Sequence, residues 1–128
     1  MTSNARPMRS MDEIIARAKA RGSHFFDADT MRSFGSRLSE TVYPAAHGTY
    51  FVTSERDRDR GYGAAWDGRR RYTVRYMDLD GEFHDPGEFG EHASGPAAHR
   101  AAERYQRDGH PACKYAEPGT CAHAGSGT

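Results

Sequence analysis

Apolar residues recur at helical spacing near the start of the chain, at Met11, Ile14, Ile15 and Ala18. Ser10-Met11-Asp12-Glu13 stands before them as a capping box, in which the Ser hydroxyl accepts the Glu13 amide. With Gly22 as the stop, this predicts a helix over residues 11–21. A second stripe, Met31, Phe34 and Leu38, follows Asp27 and Asp29, either of which can cap a second helix. Pro44 and Gly48 mark a loop. The β-branched and aromatic run at 49–55 predicts a strand, and a long connection over 56–69 follows it. The pattern then changes to period two: Tyr72, Val74 and Tyr76 alternate with Arg71, Thr73 and Arg75. Asp80-Gly81 reads as a two-residue hairpin turn, which pairs Leu79 with Glu82 and Tyr72 with Phe89. A third strand runs through 82–92, broken at Pro86-Gly87. Ser94 or Gly95 with Pro96 opens a last helix, whose apolar stripe is Ala98, Ala101, Ala102 and Tyr105 and whose end is Gly109.

The predicted class is α+β: N-terminal helices, a three-stranded antiparallel meander, and a C-terminal helix packed on the sheet. One domain is expected over 10–108, between a flexible N-terminus at 1–9 and a flexible Gly/Ala/Pro-rich tail at 109–128. Ile, Leu and Val number only seven in 128 residues, which raises the question of disorder. The net charge of zero answers it, because disorder of that kind goes with a large net charge. Six Phe and seven Tyr are left to supply most of the core. Zero net charge also argues against strong non-specific binding to nucleic acid. No apolar run approaches a membrane span and the N-terminus has no signal-peptide core, so a cytoplasmic location is expected.

Four features offer chemistry. Arg69, Arg70, Arg71 and Arg75 on the outer face of the second strand suit phosphates or an acidic protein surface. The stretch 70–105 is similar in layout to the arm-binding domain of tyrosine integrases. Against this stand six acids at 78–93; the hairpin register puts Glu91 opposite Arg70 and Glu88 between Arg71 and Arg75, as a neutralising ladder. The loop at 56–69 carries Tyr62 and Trp66, natural anchors for a partner unless they fold back over a thin core. His110, Cys113, Cys121 and His123 hold zinc-ligand chemistry, but their spacing is no familiar finger. Free thiols in an irregular tail are the favoured reading, and no cofactor is expected. His24, Asp27, Asp29, His47, His84 and Asp85 supply acid–base groups, yet no spacing links them into a nucleophile–base pair. The chain is therefore read as a non-enzyme.

Three blocks carry a resemblance: His24-Phe25-Phe26 through Asp29-Thr30-Met31-Arg32-Ser33-Phe34-Gly35-Ser36-Arg37, then Tyr50–Glu55, then Arg70–Arg75. In this order they resemble a family of small uncharacterised proteins of actinobacterial phages and other mobile elements. The resemblance implies an accessory protein acting in the host cytoplasm, where it binds a host protein to redirect or inhibit a host system, anti-defence activity included. Arg32 and Arg37 lie off the apolar stripe of the second helix and join the expected contact residues. The alternative is a nucleic-acid-binding module that uses the Arg-rich strand.

Overall fold

Ser10 opens α1 (Met11–Ala20), its Oγ accepting the Glu13 N–H at 3.2 Å. The Glu13 carboxylate reaches back past the cap and accepts the Arg9 N–H, at 2.9 Å. The computed structural model describes residues 6–56 and 68–110. α2 (Ala28–Phe34) starts at Asp27, whose carboxylate binds the His24 ring at 2.8 Å instead of capping the helix. It ends at Gly35, with φ at 61°. That left-handed turn lets the Gly35 and Ser36 amides reach back to the Arg32 and Met31 carbonyls.

Beyond Gly35 the chain departs from the expected stripe. Leu38 does not continue α2; it lies in an additional strand, β1 (Arg37–Pro44), where the sequence pattern suggested helix and then loop. Thr41-Val42-Tyr43 suits an extended chain, and pairing with β2 (Gly48–Arg56) outweighs a helical stripe that has only three members. Leu38 faces Thr53 and Val42 faces Phe51, so four steps of β1 are matched by two of β2. The excess is even, so Leu38 and Val42 stay on the same face. β3 (Arg70–Asp78) and the short β4 (Phe83–His84) complete an antiparallel sheet of order β1-β2-β3-β4. The sheet thus has four strands rather than three, which also alters the integrase-like layout.

The β3–β4 turn has three residues, not two. Asp78 N–H donates to Glu82 O at 2.9 Å, and Gly81 takes φ 89°. Asp78 Oδ1 accepts the amides of Asp80 and Glu82 and so fixes the longer turn. The register therefore slips by one, with Met77 opposite Phe83 and Tyr76 opposite His84. Such a slip exchanges the faces of every following side chain. Regular pairing stops after His84, and among the described residues the segment after it pairs with β3 again as a bridge between Tyr72 and His92. The expected pairs of Glu91 with Arg70 and of Glu88 with Arg71 and Arg75 do not exist in that form.

Helices cover both faces of the sheet. On one, Phe51 and Met77 meet Met8, Met11, Ile14, Ala18 and Phe26, with Phe83 and Leu38 alongside. On the other, Tyr50, Val52, Val74 and Tyr76 meet Ala98, Ala101 and Ala102 of α3 (Gly95–Asp108). α3 is the C-terminal helix expected on the sheet, capped by Ser94 Oγ on the Ala97 amide at 3.2 Å. Its alanines allow close approach, and the tyrosines fill the remaining space. Two residues expected in flexible ends belong to the packed body. Met8 is fully buried and its carbonyl accepts the Thr49 hydroxyl at 2.6 Å. His110 is buried among Tyr50, Tyr76 and Tyr105, with its Nδ1 on the Tyr50 hydroxyl.

Candidate functional site

The second face of the sheet changes the meaning of the arginines on β3. Arg75 is not an outward docking group. It lies on the face that α1 and the Phe25-Phe26 segment cover, and its side chain is 12% exposed. Its Nε donates to Thr53 Oγ1 at 2.9 Å, and its guanidinium sits 4.8 Å from the centre of the Phe25 ring. Glu55 and Asp85 each lie 3.7 Å from it. Arg71 donates to the carbonyls of Gly90 (2.8 Å) and Glu91 (3.4 Å), which pins the irregular segment after β4. The sequence expected both to face a partner; the structure uses them to tie segments together.

Arg70 is different. Arg56 is its cross-strand neighbour, and Arg37 stands opposite Ser54, the residue whose Oγ accepts from Arg70 at 2.8 Å. Directly opposed residues share a face, so Arg37, Arg56 and Arg70 gather at one end of the sheet. Burial lowers the pKa of Arg70, and the like charges of Arg37 and Arg56 lower it further. Among the described residues none of the three has an ion pair. Between Arg37 and Arg70 runs a cleft of about 190 Å³, lined also by Ser39, Ser54, Tyr72 and His99. His99 belongs to α3 and hydrogen-bonds the Tyr43 hydroxyl through Nδ1 at 2.7 Å. Burial lowers its pKa, which leaves the ring neutral at pH 7. The result is a recess with two guanidinium groups, two serine hydroxyls and an aromatic wall, and it is suited to an anionic group.

The other expected residues are distributed more widely. Arg69 is exposed beside β3. Arg32 is exposed on α2 and pairs with Asp29 at 2.9 Å. Tyr62, Trp66, Cys113, Cys121 and His123 lie outside the described residues, whereas His110 is a core residue held by Tyr50. The acid–base candidates do not line the arginine cleft: His24 is held by Asp27, and His84 by Asp78 at 2.8 Å. Asp78, Glu82 and His84 offer ligand atoms within 4.8 Å of one another. Both oxygens of Asp78 are already engaged by the turn amides and by His84, so the turn itself explains that cluster.

These residues fall almost wholly inside one family match. The model of a family of unknown function, DUF7447, matches residues 10–103. The chain belongs to DUF7447. The matched region holds Arg37, Arg56, Arg70 and His99, and leaves out Met8 and His110, which close the core at either end. No curated protein and no solved structure gives a significant match. No described helix is long and apolar enough to cross a membrane.

Sequence reasoning passed over Arg56, Ser54, Tyr72 and His99. The available signal was the position of Arg56 and Arg70 at the two ends of the same loop. Any hairpin connection brings its flanking residues together, so cations at both ends of one loop become a cluster.

Proposed function

We propose that this DUF7447 protein is a non-catalytic interaction module that docks on another protein, in the manner of a phage or mobile-element accessory protein acting on a host component. The observation that supports it is the set of arginines at the end of the sheet. Arg37, Arg56 and Arg70 repel one another and have no ion pair among the described residues. Holding like charges together costs stability, and an acidic side chain entering the cleft would offset that cost. The cleft suits one carboxylate with hydroxyl and aromatic neighbours better than an extended phosphate backbone. Glu40, exposed on β1 directly after Ser39 of the cleft wall, also interrupts any longer basic track. The contact surface moves accordingly, from the Arg71–Arg75 face to the Arg37–Arg70 end.

The test is capture from nuclease-treated actinobacterial lysate with the wild-type chain and with the double variant Arg37→Gln, Arg70→Gln. A protein retained by the wild type and lost with the variant supports the reading. If no protein is retained, or the variant retains it equally, the reading fails. Binding of DNA or RNA that weakens steeply with salt would replace it with the nucleic-acid alternative.

A further inference from the structure

The cleft between Arg37 and Arg70 owes its shape to the irregularity in β1. Leu38 pairs with Thr53 and Val42 with Phe51, so Ser39, Glu40 and Thr41 stand against Val52 alone. Three residues against one bow β1 away from its neighbour. Val52 thereby becomes part of the cleft wall, with Ser39 on the bulged strand, Arg70 and Tyr72 on β3 and His99 on α3 around it. The bulge also sets the donors. Ser39 Oγ accepts the Thr41 N–H at 3.3 Å, and Ser54 Oγ accepts from Arg70 Nη1 at 2.8 Å. Each hydroxyl so engaged as an acceptor keeps its own proton to donate. β1 is the outer strand of the sheet, so among the described strands none stands beside Ser39 to bar an approaching chain.

The docking proposal, on which this inference rests, brings a carboxylate of the partner into the cleft, and the walls choose between the two kinds a protein carries. At about 190 Å³ the cleft is smaller than the roughly 300–1,000 Å³ of small-molecule sites, and it suits a single residue. It has a cationic part, Arg37 and Arg70 with the two serine hydroxyls, and an apolar part, Val52 with the Tyr72 ring and the neutral His99 ring. An aspartate or glutamate side chain offers only methylene groups behind its carboxylate and leaves the apolar part unfilled. A C-terminal residue carries its carboxylate and its side chain on one Cα and fills both parts. A free amino acid does the same, but it brings an ammonium group against two guanidinium groups, and no carboxylate lines the cleft to receive it. In a peptide that nitrogen is an uncharged amide. The geometry points to a recognition site for the C-terminus of a partner protein that ends in an apolar residue: Arg37 and Arg70 hold the terminal carboxylate, the Ser39 and Ser54 hydroxyls donate to its oxygens, and Val52 and the Tyr72 ring receive the last side chain.

The test titrates the isotope-labelled full chain with four probes: acetyl-Ser-Ala-Leu with a free C-terminus, the same peptide as its carboxamide, acetyl-Ser-Asp-Leu carboxamide as an internal acid, and free leucine. The free-terminus peptide is expected to shift the amides of Ser39, Ser54 and Tyr72. Its carboxamide should bind at least about tenfold more weakly, the effect of losing one charge-assisted hydrogen bond or more. The internal acid and free leucine should also fall behind it. Arg37→Gln changes an exposed side chain and should remove the preference for the free terminus while the spectrum stays that of the folded chain. Arg69→Gln, an exposed cation of the same sign that does not line the cleft, should leave the preference intact and so separates the site from general attraction. Equal binding of acid and carboxamide, an internal acid or free leucine that matches the free terminus, or no shift with any probe would each overturn the inference. The docking proposal fails separately, when the lysate yields no protein that depends on Arg37 and Arg70. A partner captured there together with equal binding of acid and carboxamide here would keep that proposal and discard this one.

Discussion

Arg75 shows how much a single side chain's role depends on which faces of a sheet are covered. Alternation along β3 assigned it correctly to the face opposite Tyr72, Val74 and Tyr76. It did not reveal that Phe51, Met77 and Phe26 close that face. The reason is physical: with few aliphatic residues, the second layer is built from Met and Phe scattered through distant segments, and no local period signals it. Arg75 then serves as the cation for buried Glu55 and as a plate stacked on Phe25. Replacing it with Met keeps bulk but removes the cation that stands 3.7 Å from the Glu55 carboxylate. Arg75→Met should cost about 3 kcal/mol, as breaking a buried ion pair does, read from urea unfolding midpoints. Arg37→Gln, at an exposed and mutually repelled cation, should leave the midpoint unchanged or raise it. Equal losses in the two variants would show that the two arginines do not differ in this way.

Among the elements, those with their own caps and periods were legible. α1 and α3 form where Ser10 and Ser94 cap apolar stripes, and β2 and β3 form where β-branched and aromatic residues run together. β1 was hidden because Leu38 fits the helical spacing of Met31 and Phe34, while its strand partners lie about 15 residues away. The β3–β4 turn was misread by one residue because the side chain of Asp78, not the Asp80-Gly81 pair alone, sets its length. That turn also makes a pH prediction. The hydrogen bond to Asp78 raises the pKa of His84 and outweighs the lowering by burial. For Asp78, burial acts upward, but the bonds from His84 and the turn amides win and the pKa is lowered. The histidine contribution is complete below its ordinary value of 6.5 and is lost as pH rises through the raised folded value. The aspartate contribution is complete above its ordinary 3.8 and is lost as pH falls through the lowered folded value. The melting-temperature difference between wild type and His84→Gln should therefore be greatest between those two values and shrink above the window. A difference that does not vary across pH 4.5–8.5 would show that the pair does not couple proton uptake to folding.

For the whole molecule, the layered arrangement explains how a chain with seven Ile, Leu and Val residues folds at all. One sheet buries both faces, so each aromatic strand residue contributes to one of two cores, and β2 is buried from Gly48 to Glu55. The ends then matter more than their composition suggests, because they complete those cores. Met8 closes the α1 side from outside the predicted domain boundary, and it is anchored by the Thr49 hydroxyl on its carbonyl. His110 does the same on the α3 side, against Tyr50 and Tyr76. A flexible N-terminus would tolerate substitution at residue 8, whereas a core residue would not. Met8→Ala removes a fully buried side chain whose site can collapse only in part, at a cost of about 2–4 kcal/mol. In a domain of about 100 residues, that should lower the melting temperature by roughly 10 °C or more. Arg6→Ala, at an exposed position two residues earlier, should change it little. Calorimetry on the two variants decides the point: a Met8→Ala protein that melts with the wild type would mean that the core ends at α1 and that the segment before it carries none of the stability.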